Sequence, residues 1–122
     1  MKGTILCVDD ECGDSFKDYI ENNLEYFVEL HKSGFDAIKA VDEGLEFGLA
    51  MVDLSLPDVD GEIVINHIRN KYPNKPIVCI SCYSYKPNSA TALLQKVINV
   101  SELEDIIIRL YQHKSPTSSD KT

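Results

Sequence analysis

The sequence is poor in the residues that mark several classes of protein. Only six glycines and five prolines occur among its 122 residues, whereas 43% are hydrophobic and 26% charged. These proportions exclude a collagen-like, low-complexity or wholly disordered chain. The apolar runs are all shorter than the ~20 residues that a membrane-spanning helix needs. The length suits one domain, with a core large enough to fold without disulfides or a structural metal.

Basic residues are also scarce. Twelve Lys and Arg stand against twenty Asp and Glu, which gives a net charge of −8. A surface of that sign repels phosphate backbones and anionic headgroups, so we expect no direct binding to nucleic acid or to a membrane. No signal peptide is visible at the N terminus. We therefore expect a cytoplasmic protein whose acidic groups meet a metal cation or a basic partner surface.

The four cysteines predict neither a disulfide nor a metal site. Cys7 and Cys79 lie within apolar runs, where cysteine behaves as a small hydrophobic residue. Cys79 and Cys82 form a CxxC pair, but no second pair and no suitably spaced histidine accompanies it. A zinc site or a thioredoxin-like site is therefore not favoured.

Short apolar segments and helical patterns alternate along the chain. Continuous apolar runs are typical of strands covered on both faces, and alternation of apolar with polar residues is typical of an edge strand. Five strands are predicted, the last being the weakest, at residues 5–8, 28–30, 49–52, 77–80 and 93–94. Four helices are predicted from apolar residues at three- and four-residue steps, at residues 16–27, 35–43, 61–71 and 101–111.

Capping residues accompany three of these helices. Asp14-Ser15 precedes the first, Asp60 precedes the third, and Ser101 opens the last with capping-box spacing. Ile108 falls off the apolar stripe of the last helix, so we expect it to be exposed. Residues 115–122 contain no large apolar side chain and are expected to form a disordered tail or the start of a linker, which leaves residues 1–114 as the domain.

Polar side chains with useful chemistry follow the predicted strands. Alternating strands and helices favour an open α/β sheet, in which function gathers at the carboxyl ends of the strands. Asp9 and Asp10 follow the first strand, Asp53 the third, Ser81 the fourth and Lys96 the fifth. Three neighbouring carboxylates need a cation to stay ionised, and all-oxygen ligands favour Mg²⁺. With that charge neutralised, a carboxylate oxygen could attack phosphorus, so the pattern predicts a phosphoryl acceptor.

The order of these motifs resembles the receiver domain of two-component response regulators. The sharpest part is Asp-x-x-x-Pro-x-x-x-Gly, and the resemblance covers residues 2–114. The motifs are Val8-Asp9-Asp10-Glu11, Asp53 to Gly61 with Pro57 between, Ile80-Ser81 and Gln95-Lys96. The resemblance implies a flavodoxin-like, doubly wound, five-stranded parallel sheet in the order 2-1-3-4-5 with helices on both faces. In that order the first and fourth strands are not neighbours, so a Cys7–Cys79 bridge is not expected.

The resemblance also implies a magnesium site. Asp10 and Asp53 would bind Mg²⁺ through their side chains, Ser55 through its backbone carbonyl and Asp9 through water. Asp60 is expected to cap a helix rather than to bind the metal.

Carried over in the same way, Asp53 would accept a phosphoryl group from a phosphohistidine of a sensor histidine kinase or phosphotransfer protein. Lys96 would pair with Asp53 or with its phosphoryl group, and Ser81 would move toward the phosphoryl oxygens. The chemistry would be self-catalysed phosphorylation and dephosphorylation, not turnover of a separate substrate. The implied result is a switch in binding to a downstream protein target, with homodimerisation left open.

Two departures from the receiver pattern affect these expectations. Only 14 residues, 82–95, separate Ser81 from Lys96, fewer than receivers usually place there. A helical crossover needs at least about ten to twelve residues, and part of this segment forms a strand. We therefore predict that the helix between the fourth and fifth strands is missing or cut to about one turn. Leu93 stands where receivers commonly hold Tyr or Phe, and Tyr83 or Tyr85 could replace that aromatic residue.

Two other classes of function remain open on the sequence. A degenerate receiver would bind proteins without being phosphorylated, an alternative favoured by the short crossover and by Leu93. A Mg²⁺-dependent phosphatase acting on small molecules would need a substrate pocket. The chain has neither a cap domain nor a glycine-rich loop to cradle phosphate.

Overall fold

Five parallel strands form one sheet in the computed structural model, which describes residues 2–111. They are β1 (Thr4–Val8), β2 (Phe27–His31), β3 (Leu49–Asp53), β4 (Ile77–Ser81) and β5 (Ala92–Gln95). Their order is β2-β1-β3-β4-β5, and every neighbouring pair is parallel. The predicted fold and strand order are confirmed. The predicted boundary at residue 114 and the predicted tail at 115–122 lie outside the described residues.

Helices cover both faces of the sheet because side chains alternate between the faces along each strand. In β1, Ile5 and Cys7 pack with α1 (Gly13–Tyr19) and α4 (Val100–Leu110). Leu6 and Val8 face the other way and pack with α2 (Gly34–Asp42) and α3 (Gly61–Lys71). Cys7 and Cys79 thus belong to opposite layers, and all four cysteines are free, as predicted. None of the helices within residues 2–111 is long and apolar enough to cross a membrane.

The connection from β4 to β5 contains no helix, which confirms the prediction from its length. We call residues 82–91 the crossover loop. Pro87 and Ala90 of this loop are buried, and Ala90 packs with the β4 residues Ile77 and Cys79 where a helix would otherwise lie. Arg69 of α3 holds it there by donating to the backbone oxygen of Ser89 at 2.9 Å and to the Thr91 hydroxyl at 3.2 Å.

The first helix is shorter than the apolar pattern predicts. It ends at Tyr19, continues as a π-helical turn (Ile20–Leu24) and stops at Glu25, whose φ of 64° is left-handed. Phe27, predicted to be helical, begins β2 because its N–H bonds the Gly3 carbonyl at 2.8 Å. Phe27 lies three residues after Leu24, a spacing that fits a helix. Its pairing with β1 nevertheless decides that it is extended.

Two predicted caps are also displaced. Cys12, not Asp14-Ser15, occupies the N-cap position of α1, and the carboxylate of Asp9 accepts its N–H at 2.8 Å. Asn99, not Ser101, caps α4, because its side chain accepts the Ser101 N–H at 2.7 Å. The predicted cap of α3 is confirmed, with Asp60 accepting the Glu62 N–H at 2.9 Å. Ile108 is exposed, as expected.

Candidate functional site

The polar residues singled out from the sequence meet at the carboxyl edge of the sheet. Asp9 and Asp10 follow β1, Asp53 is the last residue of β3 and Ser81 is the last residue of β4. Lys96 follows β5 and reaches across the sheet to Asp53. Parallel strands end on the same side of a sheet, so residues 43 positions apart come within hydrogen-bonding distance.

Three carboxylates form the acidic part of this site. Oxygen atoms of Asp9, Asp10 and Asp53 all lie within 4.8 Å of one another. Asp9 and Asp53 are buried, whereas Asp10 is exposed. Such crowding is unfavourable unless a cation or a bound proton offsets the charge.

Asp9 lies in an unfavourable environment for a charged carboxylate. Its Oδ1 accepts the N–H groups of Glu11 and Cys12, both at 2.8 Å. Its Oδ2 is buried and has no hydrogen-bond partner within residues 2–111. Burial raises the pKa of the Asp9 carboxyl, and the nearby Asp53 charge adds to the effect. A buried carboxylate oxygen without a hydrogen-bond donor needs another partner. Together with the two neighbouring carboxylates it provides hard oxygen ligands, which fit Mg²⁺.

Lys96 supplies the positive charge on the opposite side. Its ammonium donates to Asp53 Oδ2 at 2.9 Å and to Glu11 Oε1 at 3.0 Å. Burial lowers the pKa of Lys96, but the hydrogen bonds to Asp53 and Glu11 and the charges of Asp53 and Asp9 outweigh it and raise the pKa above its ordinary value. Lys96 therefore stays protonated in the folded protein. Sequence reasoning assigned Glu11 no role, although it directly follows the acidic pair.

Both serines singled out from the sequence lie beside the acidic site, and their proposed roles stay predictions. The Ser55 N–H donates to Asp53 Oδ1 at 2.8 Å, so both oxygens of the Asp53 carboxylate are held, one by Ser55 and the other by Lys96. Ser81 is buried, and its hydroxyl accepts the Tyr83 N–H at 3.0 Å. A hydroxyl can accept one hydrogen bond while it donates its own proton, so Ser81 keeps a donor for a group on Asp53.

The arrangement matches a known family. The model of the response regulator receiver domain matches residues 5–107. The chain belongs to this family. A comparison of this chain with curated proteins found no match.

Solved structures support the assignment. A CheY-like receiver domain protein from Methanospirillum hungatei is 26% identical over 89% of this chain and 93% of its own, with a TM-score of 0.80. The response regulator TrrA from Thermotoga maritima, in complex with Mg²⁺-BeF, is 27% identical over 90% of this chain and 99% of its own, with a TM-score of 0.75. A receiver domain of a Pseudomonas aeruginosa sensor histidine kinase, with magnesium coordinated in its active site cleft, is 20% identical over 90% of this chain and 97% of its own. Its TM-score is 0.75, and at that identity the likeness shows the fold alone.

Gly61 brings the receiver domain's α3 close to the acidic site. A Cβ atom at this position would lie 2.1 Å from the Asp53 carbonyl oxygen and 2.6 Å from Leu54 Cα. Both are backbone atoms that a side-chain rotation cannot move away. The Gly61 N–H also donates to the Leu54 carbonyl at 3.1 Å, which closes the loop between β3 and α3. Only glycine permits this approach.

Asp58 fixes the same loop to α2 and was not assigned a role from the sequence. Its carboxylate accepts the N–H groups of Gly34 at 2.9 Å and Phe35 at 3.0 Å, and the Ser33 hydroxyl at 2.7 Å. These hydrogen bonds lower the pKa of Asp58 to about 2. The loop that carries Ser55 is thereby tied to the first turn of a second helix.

The receiver domain has Leu93 at the position where receivers commonly hold Tyr or Phe. Leu93 is partly buried and packs with the layer that contains α2 and α3. Tyr83 and Tyr85 are 77% and 54% exposed, so neither ring is buried in this conformation. The Tyr85 hydroxyl donates to Glu62 of α3 at 3.0 Å. Replacement of the usual aromatic residue by either tyrosine stays a prediction.

Proposed function

We propose that this receiver domain accepts a phosphoryl group on Asp53 from the phosphohistidine of a sensor histidine kinase or a phosphotransfer protein. The reaction requires Mg²⁺ and switches binding to a downstream protein target. The observation that supports it most is the Lys96 ammonium 2.9 Å from a buried carboxylate that two other carboxylates adjoin. That combination suits a group that gains negative charge in a confined site.

The magnesium ion would be held by the Asp10 and Asp53 carboxylates and the Ser55 backbone carbonyl, with Asp9 acting through water. The unpartnered Asp9 Oδ2 and the 4.8 Å grouping of carboxylate oxygens support this set. The Thermotoga protein, 27% identical, binds Mg²⁺-BeF, a mimic of a phosphoryl group. When bound, Mg²⁺ would supply positive charge against the phosphoryl oxygens.

In the transfer itself, a carboxylate oxygen of Asp53 attacks phosphorus as the phosphorus–nitrogen bond to the histidine breaks. The leaving imidazole keeps the bonding pair and takes a proton. Lys96 then neutralises charge on the phosphoryl oxygens, and the Ser81 hydroxyl moves toward one of them and donates its proton to it. Attack by water reverses the modification and releases inorganic phosphate. The domain therefore acts on its own carboxylate and turns over no separate substrate.

We assign this switch to the cytoplasm, with protein partners and no direct contact with nucleic acid or a membrane. The net charge of −8 supports the last two points, because it repels other polyanions. Homodimerisation is not required by the chemistry, since the residues proposed for it all belong to one chain.

Acetyl phosphate tests the proposal directly. With Mg²⁺ present, the intact mass should increase by one phosphoryl group, and Asp53→Asn should abolish the increase. Asp60→Asn is the matched control, because it also removes a carboxylate from the loop between β3 and α3 but keeps an equally good helix cap. Absence of any mass gain in the unmodified protein contradicts the proposal.

The degenerate receiver is the second candidate, favoured by the missing helix between β4 and β5. It predicts no mass gain and no amide shifts on addition of beryllium fluoride with Mg²⁺. A small-molecule phosphatase would instead release many equivalents of phosphate from a free phosphoester. The three assays, of mass gain, amide shifts and phosphate release, together separate all three functions.

A further inference from the structure

An aromatic and acidic surface lies where the crossover loop meets α3. Tyr83 and Tyr85 are exposed on the loop, and the Tyr85 hydroxyl bonds Glu62 at 3.0 Å. Asp60 precedes α3, and its carboxylate accepts the Glu62 N–H. We call Asp60, Glu62, Tyr83 and Tyr85 the tyrosine–acid surface. Tyr83 is two residues before Tyr85 on the same exposed loop, so a second aromatic ring lies near the contact between Tyr85 and Glu62.

The loop that carries the tyrosines is held in place by α3. Glu62, Asn66 and Arg69 follow one another at helical steps on one side of that helix. Asn66 accepts the Ser89 hydroxyl at 2.6 Å, and Arg69 bonds the Ser89 carbonyl. A surface already ordered in this way loses less conformational entropy when a partner binds.

Basic groups beside this surface do not neutralise it. The Lys86 ammonium turns into the loop and donates to the Ala90 carbonyl at 2.9 Å. The Arg69 guanidinium is occupied by backbone oxygens, the shortest bond being 2.6 Å to Lys75. Within residues 2–111, neither Asp60 nor Glu62 forms an ion pair. Each carboxylate uses one oxygen in a hydrogen bond, Asp60 with the Glu62 N–H and Glu62 with the Tyr85 hydroxyl, and the other oxygen can meet an external cation.

We propose that the tyrosine–acid surface docks an arginine-rich segment of a partner protein. Guanidinium groups stack on tyrosine rings and form paired hydrogen bonds with carboxylates, so both elements of the surface favour the same side chain. A second copy of this chain is disfavoured because each copy carries a net charge of −8. The inference rests on the proposed function, since it identifies the chemistry of that protein target, and it predicts measurable basal binding in the unphosphorylated state.

An oligo-arginine peptide is the probe, titrated into the unphosphorylated full chain at roughly 0.15 M salt, where long-range attraction is screened. Amide shifts should concentrate at residues 60–62 and 83–85, and oligo-lysine should bind more weakly. Tyr83→Ala and Glu62→Gln should each weaken binding about two- to five-fold, as removal of one exposed cation–π or charged contact predicts. Because no phosphoryl donor is present, failure of the phosphotransfer proposal leaves this result unaffected.

Control substitutions elsewhere on the domain distinguish peptide binding at this surface from general attraction to the net negative charge. Phe35→Ala removes another exposed aromatic ring, and Glu43→Gln removes another exposed carboxylate. Neither should change peptide affinity, and the amide spectra of all four variants report that they are folded. The proposal is overturned if the shifts spread over all acidic helices or if the controls weaken binding equally. It is also overturned if sedimentation shows self-association that Tyr83→Ala abolishes, since the surface would then bind a second copy.

Discussion

The Lys96 ammonium bridges two carboxylates from different strands, Asp53 at the end of β3 and Glu11 beyond β1. This contact connects the carboxyl ends of the internal strands β1 and β3 with that of the edge strand β5, which Lys96 follows. One cation thus offsets part of the charge of a cluster in which Asp9 has an unpartnered oxygen. The predictions below test this balance and the loops that support it.

Lys96→Met should slow phosphorylation by acetyl phosphate about 100-fold, because one preorganised donor to developing charge is worth that order of rate. Mg²⁺ affinity should not fall, since removal of a cation makes the acidic cluster more attractive to another. The rate is measured by intact mass and the affinity by amide shifts, as the chain has no tryptophan. An unchanged rate would show that Lys96 does not act on the phosphoryl group.

Asp10→Asn should stabilise the metal-free protein and remove its response to Mg²⁺. The exposed Asp10 carboxylate adds repulsion to Asp9 and Asp53, and its replacement creates no cavity. Saturation at 100 times the dissociation constant should stabilise the unsubstituted protein by about 2.7 kcal/mol. Thermal unfolding with and without Mg²⁺ measures both effects. Equal stabilisation of the two proteins by Mg²⁺ contradicts the assigned ligand.

Asp58→Asn should lower stability at pH 7 and make no difference in strong acid. The pKa of Asp58 falls from 3.8 to about 2 on folding, so its ionised form stabilises the native state. That contribution is fully present above pH 4 and is lost as the pH falls toward 2. Urea unfolding across this range should show the two curves converging. Asp105→Asn, an exposed carboxylate on α4, controls for general acid effects.

Gly61→Ala should destabilise the fold by about 1–3 kcal/mol, the range for forcing extra volume into a packed site. The added Cβ would meet backbone atoms of Asp53 and Leu54, so α3 must move away from the acidic site. Urea unfolding measures the loss, and Ile63→Ala on the exposed side of the same turn should change stability far less. If Gly61→Ala has the same urea midpoint of unfolding as the unsubstituted protein, the loop can move to accommodate the added Cβ atom.

Beryllium fluoride with Mg²⁺ should shift the Tyr83 amide resonance, because the Ser81 hydroxyl that accepts this N–H moves and donates its proton to the new group. In Ser81→Ala the amide has no hydroxyl acceptor, so its shift should be much smaller. Resonances of α4 report whether the variant is otherwise intact. If Tyr83 responds equally in both proteins, Ser81 does not transmit the change to the crossover loop.

Much of the fold followed from local pattern. Continuous apolar runs predicted the strands, and the count of residues between Ser81 and Lys96 predicted the missing helix, because a crossover helix needs a minimum length. The end of the first helix was predicted wrongly. Phe27 continues the helical period, but pairing of its segment with β1 decides its conformation.

By itself, the sequence determined which chemical groups stand at the strand ends: carboxylates after the first and third strands, a hydroxyl at the fourth and an amine after the fifth. Residue type and order along the chain are local properties, so they can be read without coordinates. Only the tertiary structure decided which atoms meet: Lys96 with Glu11, Asp58 with the start of α2, and Arg69 with the crossover loop. Those partners are far apart in sequence, and their distances depend on how helices pack against the finished sheet.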